Sequence, residues 1–284
     1  MMIEDNIHYF PGHMQKALGK IKEKLSLCDG VIELFDSRAI DASYPKNLDA
    51  LVNDKVKIAV LTKYDIADRN ILQKKKRELE DKGYITFLLD VRDIKQVNTM
   101  LSFLSKIRTK KDEKFLKMNF PLTKKRYMIL GIPNVGKSTL INSLSKKYKA
   151  PVENKPGKTR SENLIQIDRY VEIYDTPGIL LTNYEDRQIA FILAALGSIK
   201  IENSNKVALS FFILDFLKER YPSLLEKRYS LSEEDLDLDN EEIIRKIAFN
   251  MSYLLSGKED NERARDTILK DFKNGTIGRI SFDE

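Results

Sequence analysis

The stretch Gly131-Ile-Pro-Asn-Val-Gly-Lys-Ser138-Thr139 follows the apolar run RYMILG and leads into TLINSLSKK. A strand, a G-x-x-x-x-G-K-[ST] loop and a helix in that order leave few architectures open. The glycines let the backbone wrap round a phosphate, and the loop amides and helix N-terminus surround it with positive potential. Lys137 reaches the terminal phosphates of such a ligand, and the Ser138 hydroxyl can hold Mg2+. Asn134, Val135, Gly136 and Thr139 complete the cradle.

The rest of the first two-thirds fits the sheet that this loop requires. Short β-branched or apolar runs alternate with longer amphipathic stretches, as expected for a mostly parallel sheet covered by helices. Six strands are expected, at 31–37, 56–61, 84–89, 126–131, 163–168 and 170–175, with a ligand at the carboxyl edge. Before the first, MQKALGKIKEKLSL reads as an amphipathic helix behind the turn Pro11-Gly12. Near Leu181 the character changes to helices only, expected around 185–195, 206–227, 240–256 and 261–273. The division is therefore 1–181 for an α/β domain and 182–284 for an all-helical domain.

Three further motifs complement the phosphate loop. Asp175-Thr-Pro-Gly178 ends a strand, placing a carboxylate to hold Mg2+ through water and a glycine amide near a γ-phosphate. Thr159, in the polar connection Pro156-Gly-Lys-Thr159, can bring a second hydroxyl to the metal. Thr62-Lys63-Tyr64-Asp65 follows VKIAVL. A carboxylate at Asp65 can accept both hydrogens that guanine offers at N1 and its 2-amino group, and adenine leaves that carboxylate unmatched. The Lys63 stem can lie along the base plane. The loop after the third strand, near Asp90, is expected on the guanine side. These motifs together indicate a GTP-binding switch, but the base-reading motif precedes the phosphate loop, the reverse of the usual order.

Composition narrows the remaining choices. A chain of 284 residues with 42% hydrophobic residues can fill two cores. One cysteine, Cys28, excludes an internal disulfide and a cysteine-cluster zinc site, and two histidines cannot make a His-rich metal site. Cys28 reads as a buried small residue. The opening MMIEDNIHYF has no leader-type apolar run, and the run 207–217 is broken by Asp215, so the expected location is the cytoplasm, without a membrane partner. The net charge of +6 is uneven: residues 1–181 carry 34 Lys and Arg against 23 Asp and Glu, and residues 182–284 carry 15 against 20. A basic face of this kind attracts polyanions.

The chain resembles the circularly permuted GTPases, specifically the RbgA (YlqF) type, over almost its whole length. The resemblance rests on YFPGHMQKAL, ELFDSRAIDASYP, GIPNVGKSTLINSL, DTPGIL and the closing ILKDFKNGTIGRISF. It implies a circularly permuted P-loop GTPase domain with a helical C-terminal domain, binding GTP and GDP with Mg2+. It further implies ribosomal RNA of a large-subunit precursor as partner, with no DNA, and assembly of the large subunit as the process. The first position of the base-reading motif usually holds Asn, where this chain has Thr62.

Gly178 is followed by Ile179, not by the Gln that orients water in many GTPases. The resemblance gives that role to His13, in Phe10-Pro-Gly-His-Met14, and gives Asn134 to a K+ ion that assists hydrolysis. For RNA it points to Lys74, Lys75, Lys76, Arg77 and the segment from Lys110 to Arg126, and in the acidic C-terminal region to Lys246, Arg263, Arg265, Lys270, Lys273 and Arg279. The missing Gln and Thr62 keep a second reading open, a non-catalytic RNA-binding scaffold stabilised by nucleotide.

Overall fold

The computed structural model describes residues 19, 21–44, 52, 54–119, 124–145, 164–176, 186–199, 205–255 and 257–284. Two compact units emerge from the described residues: one within Met1–Tyr64, Arg69–Thr182 and Asp283–Glu284, the other within Asp65–Asp68 and Asn183–Phe282. The second unit thus includes the four residues Asp65–Asp68 from the first half of the chain, and the last two residues return to the first unit.

In the first unit six strands form one sheet: β1 (Gly30–Asp36), β2 (Val56–Thr62), β3 (Tyr84–Leu88), β4 (Lys125–Gly131), β5 (Leu164–Gln166) and β6 (Val171–Tyr174). Their spatial order is β3-β2-β1-β4-β6-β5, with every pair parallel except β5 and β6. Strand β1 lies between β2 and β4, and all seven of its residues are buried, which is why GVIELFD lacks the alternation of a half-exposed strand. Its register sets Asp36 opposite Thr62 and Leu34 opposite Gly131. One cluster on this sheet joins Ile21, Leu25, Cys28, Val31, Val52, Met128, Leu130 and Tyr174. Burial pushes the Cys28 thiol up to about 11, so it is a packing residue and not a reactive one.

The helices of this unit include α1 (Ile40–Ser43), α2 (Arg69–Asp81), α3 (Ile94–Lys106), α4 (Lys110–Lys117) and α5 (Lys137–Ser145). Helix α3 is started by Asp93, whose carboxylate accepts the Lys95 and Gln96 amides. Helix α5 carries the phosphate-loop signature on its first turn.

The second unit contains α6 (Arg187–Ala195), α7 (Lys206–Arg220), α8 (Pro222–Tyr229), α9 (Asn240–Asn250) and α10 (Asn261–Asn274). Its core joins residues such as Leu209, Ile213, Leu217, Ile243, Ile247, Ile268 and Phe272. Two expectations change here. The helix read over 206–227 is two helices, because Pro222 cannot continue α7 and instead starts α8 at its first position. The helix read over 240–256 stops at Asn250. Ser252 takes φ +55°, and the chain then forms a two-stranded hairpin, β7 (Leu254–Leu255) with β8 (Lys258–Glu259), so this domain is helical apart from that hairpin.

Candidate active site

The loop from Gly131 to Gly136 is shaped by conformations that a side chain resists. Gly131 has φ +147°, and a Cβ on it would lie 2.8 Å from the Leu34 carbonyl oxygen on β1. Gly136 has φ +117°. Asn134 takes φ +60°, one of the few residues besides glycine that tolerates this region. The result is a cavity of about 510 Å3 lined by Pro133, Asn134, Gly136, Lys137, Ser138, Thr139, Asp175 and Thr176. Ser138 and Thr139 are exposed on the first turn of α5, beside helix amides that have no partner within the helix.

Lys137 is buried, and its ammonium donates to the carbonyls of Gly131 at 2.7 Å and Ile132 at 2.8 Å. Burial lowers its pKa to about 8, and the facing charge of Asp175 opposes that shift. Asp175 is displaced upward by burial, with Lys137 opposing. The two groups are a cation and an anion across one cavity, the arrangement needed to hold a polyphosphate and its counter-cation. Thr176, missed by the sequence reading, is buried and donates to the Ile129 carbonyl at 2.5 Å, which fixes the end of β6 against β4.

Thr62 is 2% exposed, and its hydroxyl lies 3.0 Å from both the Phe35 and the Val135 carbonyl oxygens. With one proton it serves these two acceptors, so it ties the base-reading motif to the phosphate loop. The departure from Asn therefore keeps a link that a hydroxyl can make. Lys63 has φ +55°, and its ammonium is 2.7 Å from Asp36 Oδ2. Asp65 lies on the 3-10 turn Tyr64–Ile66 that follows β2.

Asp90, in the loop after β3, is paired within that loop. Its carboxylate accepts the Arg92 amide at 2.9 Å and Arg92 Nε at 3.1 Å, contacts that lower its pKa. These contacts shape the turn that carries Asp90. Its neighbour Val91, which the sequence did not single out, would be 3.4 Å from a Cβ on Gly136 and brings this loop to the phosphate loop. His13, Thr159 and Gly178 lie outside the described residues.

Several cations expected to meet RNA already have partners. Lys75 is buried against Asp41 at 2.6 Å and Glu78 at 3.1 Å, and Lys76 meets Glu80 at 2.6 Å. Lys125 is buried on Asp112, and Lys124 and Arg126 both reach Glu172, at 3.2 and 2.9 Å. Lys74 and Arg77 are exposed on α2. In the second unit Lys246 pairs with Asp235 and Arg265 with Glu241, Arg279 donates to the Asp65 carbonyl at 3.0 Å, and Arg263 lies over the Tyr253 ring. Lys270 and Lys273 are exposed. No helix among the described residues is long and apolar enough to cross a membrane.

Comparison with known proteins agrees with this geometry. A family described as 50S ribosome-binding GTPase matches residues 126–250, a match that begins at β4 and leaves the base-reading motif before it. Ribosome biogenesis GTPase A of Bacillus pumilus is 33% identical over 98% of this chain and 98% of its own length. The Priestia megaterium protein of that name is 34% identical, covering 98% and 96%. Among solved structures, GNP-bound YlqF from T. maritima aligns with a TM-score of 0.57 and 26% identity, over 94% of this chain and 97% of that one. The GDP-bound form of TM YlqF gives 0.57 and 25%, over 93% and 98%. With the base-reading strand ahead of the phosphate loop, and with identity of this extent over its full length, the chain belongs to the ribosome biogenesis GTPase A family.

Proposed function

We propose that this GTPase promotes late assembly of the large ribosomal subunit, binding ribosomal RNA of the precursor particle and hydrolysing GTP on release in the cytoplasm. The observation that carries the reading is the cavity in which Lys137, Ser138 and the first turn of α5 face Asp175. These residues suit a nucleoside polyphosphate: the α5 amides and Lys137 balance its charge, and Asp65, on the turn after β2, selects guanine. The site also suits Mg2+, which would supply charge neutralisation between the phosphates. Ser138 and Thr159 hold it by their hydroxyls and Asp175 through water. Asn134 would hold a K+ ion, which would supply further charge neutralisation, and the Gly178 amide would sense the terminal phosphate.

Ile179 cannot orient water, and the family resemblance gives that step to His13, acting on the ribosomal particle. RNA binding is carried by exposed cations such as Lys74 and Arg77 on α2 and Lys270 and Lys273 on α10, and contributes affinity without sequence preference.

GTP turnover in potassium buffer, with and without large ribosomal subunits, tests the reading in wild type and His13→Ala. Stimulation by subunits that is lost in the variant is the expected result. Absence of stimulation removes the ribosomal assignment, and stimulation that survives the substitution removes His13 from catalysis.

A further inference from the structure

Strand β1 ends in a buried ionic group that the nucleotide motifs do not account for. Asp36 is 1% exposed and Arg38 fully buried. Arg38 grips the carboxylate at both oxygens, Nε to Oδ1 at 2.9 Å and Nη2 to Oδ2 at 2.8 Å, and its backbone amide donates to Oδ1 at 3.2 Å. The Lys63 ammonium, 2.7 Å from Oδ2, is a second cation on the same carboxylate. Burial alone would raise the Asp36 pKa, but Arg38 and then Lys63 outweigh it and hold the carboxyl below the usual range. Buried ion pairs seldom improve on apolar packing. A cluster of three charged groups at the carboxyl end of a central strand therefore calls for another reason, and that edge is where open α/β sheets take ligands.

Lys63 is restrained along its whole length. Before it, the Thr62 hydroxyl is fixed on the carbonyls of Phe35 and Val135. Its own backbone is left-handed at φ +55°, a conformation that persists only where surroundings enforce it. At the far end its ammonium is fastened on Asp36, so the charge cannot reach out to a phosphate. What remains to be presented is the methylene stem, on a side chain 30% exposed. A stem pinned at both ends has already lost the freedom that a ligand would otherwise have to remove.

We propose that Asp36, locked by Arg38, is a positioning residue for nucleotide binding: it fastens the Lys63 ammonium so that the Lys63 methylenes form a fixed apolar platform for one face of the base. The inference rests on the guanine reading of residues 62–65, but separates from it. The platform supplies affinity for a planar base, and Asp65 supplies the choice among bases.

Titration calorimetry with GDP, and separately with inorganic pyrophosphate as a probe lacking the base, tests this on Asp36→Asn, Lys63→Met and the double variant. Each single change should weaken GDP about tenfold, the scale of one lost charge-assisted contact. The double variant should lose no more than either single one, because both break the same contact. Pyrophosphate affinity should stay at the wild-type value. Should Asp36→Asn fail to fold, Lys63→Met still decides the matter, since it leaves the Asp36–Arg38 pair intact. Unchanged GDP affinity in Lys63→Met overturns the proposal, as do losses that add in the double variant or a parallel fall for pyrophosphate. Failure of the guanine reading is seen elsewhere, as ADP competing equally with GDP on wild type, and leaves the variant comparison to decide the platform.

Discussion

Raising the pH should weaken nucleotide binding through Lys137 well before an ordinary lysine titrates. Its ammonium is enclosed by the phosphate loop with a pKa of about 8, so the free protein begins to lose that proton near neutrality. A bound phosphate favours the charged form, and binding above pH 8 therefore requires proton uptake. For a site that binds only when Lys137 is charged, the apparent dissociation constant rises by the factor one plus the ratio of neutral to charged lysine. That factor is about 1.1 at pH 7 and about 6 at pH 8.7, a weakening of roughly fivefold. The window ends below the pH at which guanine N1 ionises, so the ligand contributes little. The assay is equilibrium fluorescence titration of a labelled GDP at constant ionic strength, on wild type and Lys137→Arg. The guanidinium keeps its charge throughout, so the arginine variant should show a flat profile whatever its absolute affinity. A wild-type profile as flat as that of the variant refutes the reasoning, because Lys137 would then bind phosphate without titrating.

Three other outcomes follow from particular contacts. Thr62→Val removes the hydroxyl shared by two buried carbonyls and should cost about 1–2 kcal/mol in urea unfolding, while the preference for GDP over ADP, set by Asp65, stays unchanged. Lys125→Met strands the Asp112 carboxylate, which is fully buried, and should cost about 3–5 kcal/mol; adding Asp112→Asn, which keeps an acceptor for Thr109, should restore at least half in the same unfolding assay. Asp283 accepts the amides of Ile40 and Asp41, and burial raises its carboxyl to about 6 from 3.8. A raised carboxyl contributes stability that is complete below pH 4 and lost as the pH climbs through 6. Asp283→Asn should thus gain on wild type by up to about 3 kcal/mol between pH 4 and pH 7, read from urea midpoints.

The sheet was legible because its signal is local. Runs such as VKIAVL and YITFLL announce strands by residue type alone, and each observed strand begins or ends within two residues of its run. The phosphate half of the site was equally plain, since GIPNVGKST carries its conformation and its chemistry in one segment. What escaped depends on partners distant in sequence. Arg126 looked free for RNA until Glu172, 46 residues away, met it across paired strands. Asp36 and Arg38 read as part of a family motif, and nothing local says that Lys63 will arrive on the same carboxylate. Thr62 looked like a weakened base contact, because its acceptor on Val135 comes from a loop 73 residues later. At Asp90 the structural partner is local instead: its carboxylate accepts from Arg92, two residues on, and shapes the turn. The break at Pro222 is readable from the residue itself, although the apolar pattern continues through it.

The order of strands also sets a problem in synthesis. Strand β1 is made first and pairs on one side with β2, which follows closely, but its other edge belongs to β4. Nearly ninety residues separate the end of β1 from the start of β4, roughly ten seconds of elongation. Throughout that interval a nascent three-stranded sheet holds a central strand with one ladder of amides and carbonyls open, on a segment, GVIELFD, that is wholly buried in the finished fold. The growing chain must shield this edge from other strands until the strand leading into its phosphate loop closes it.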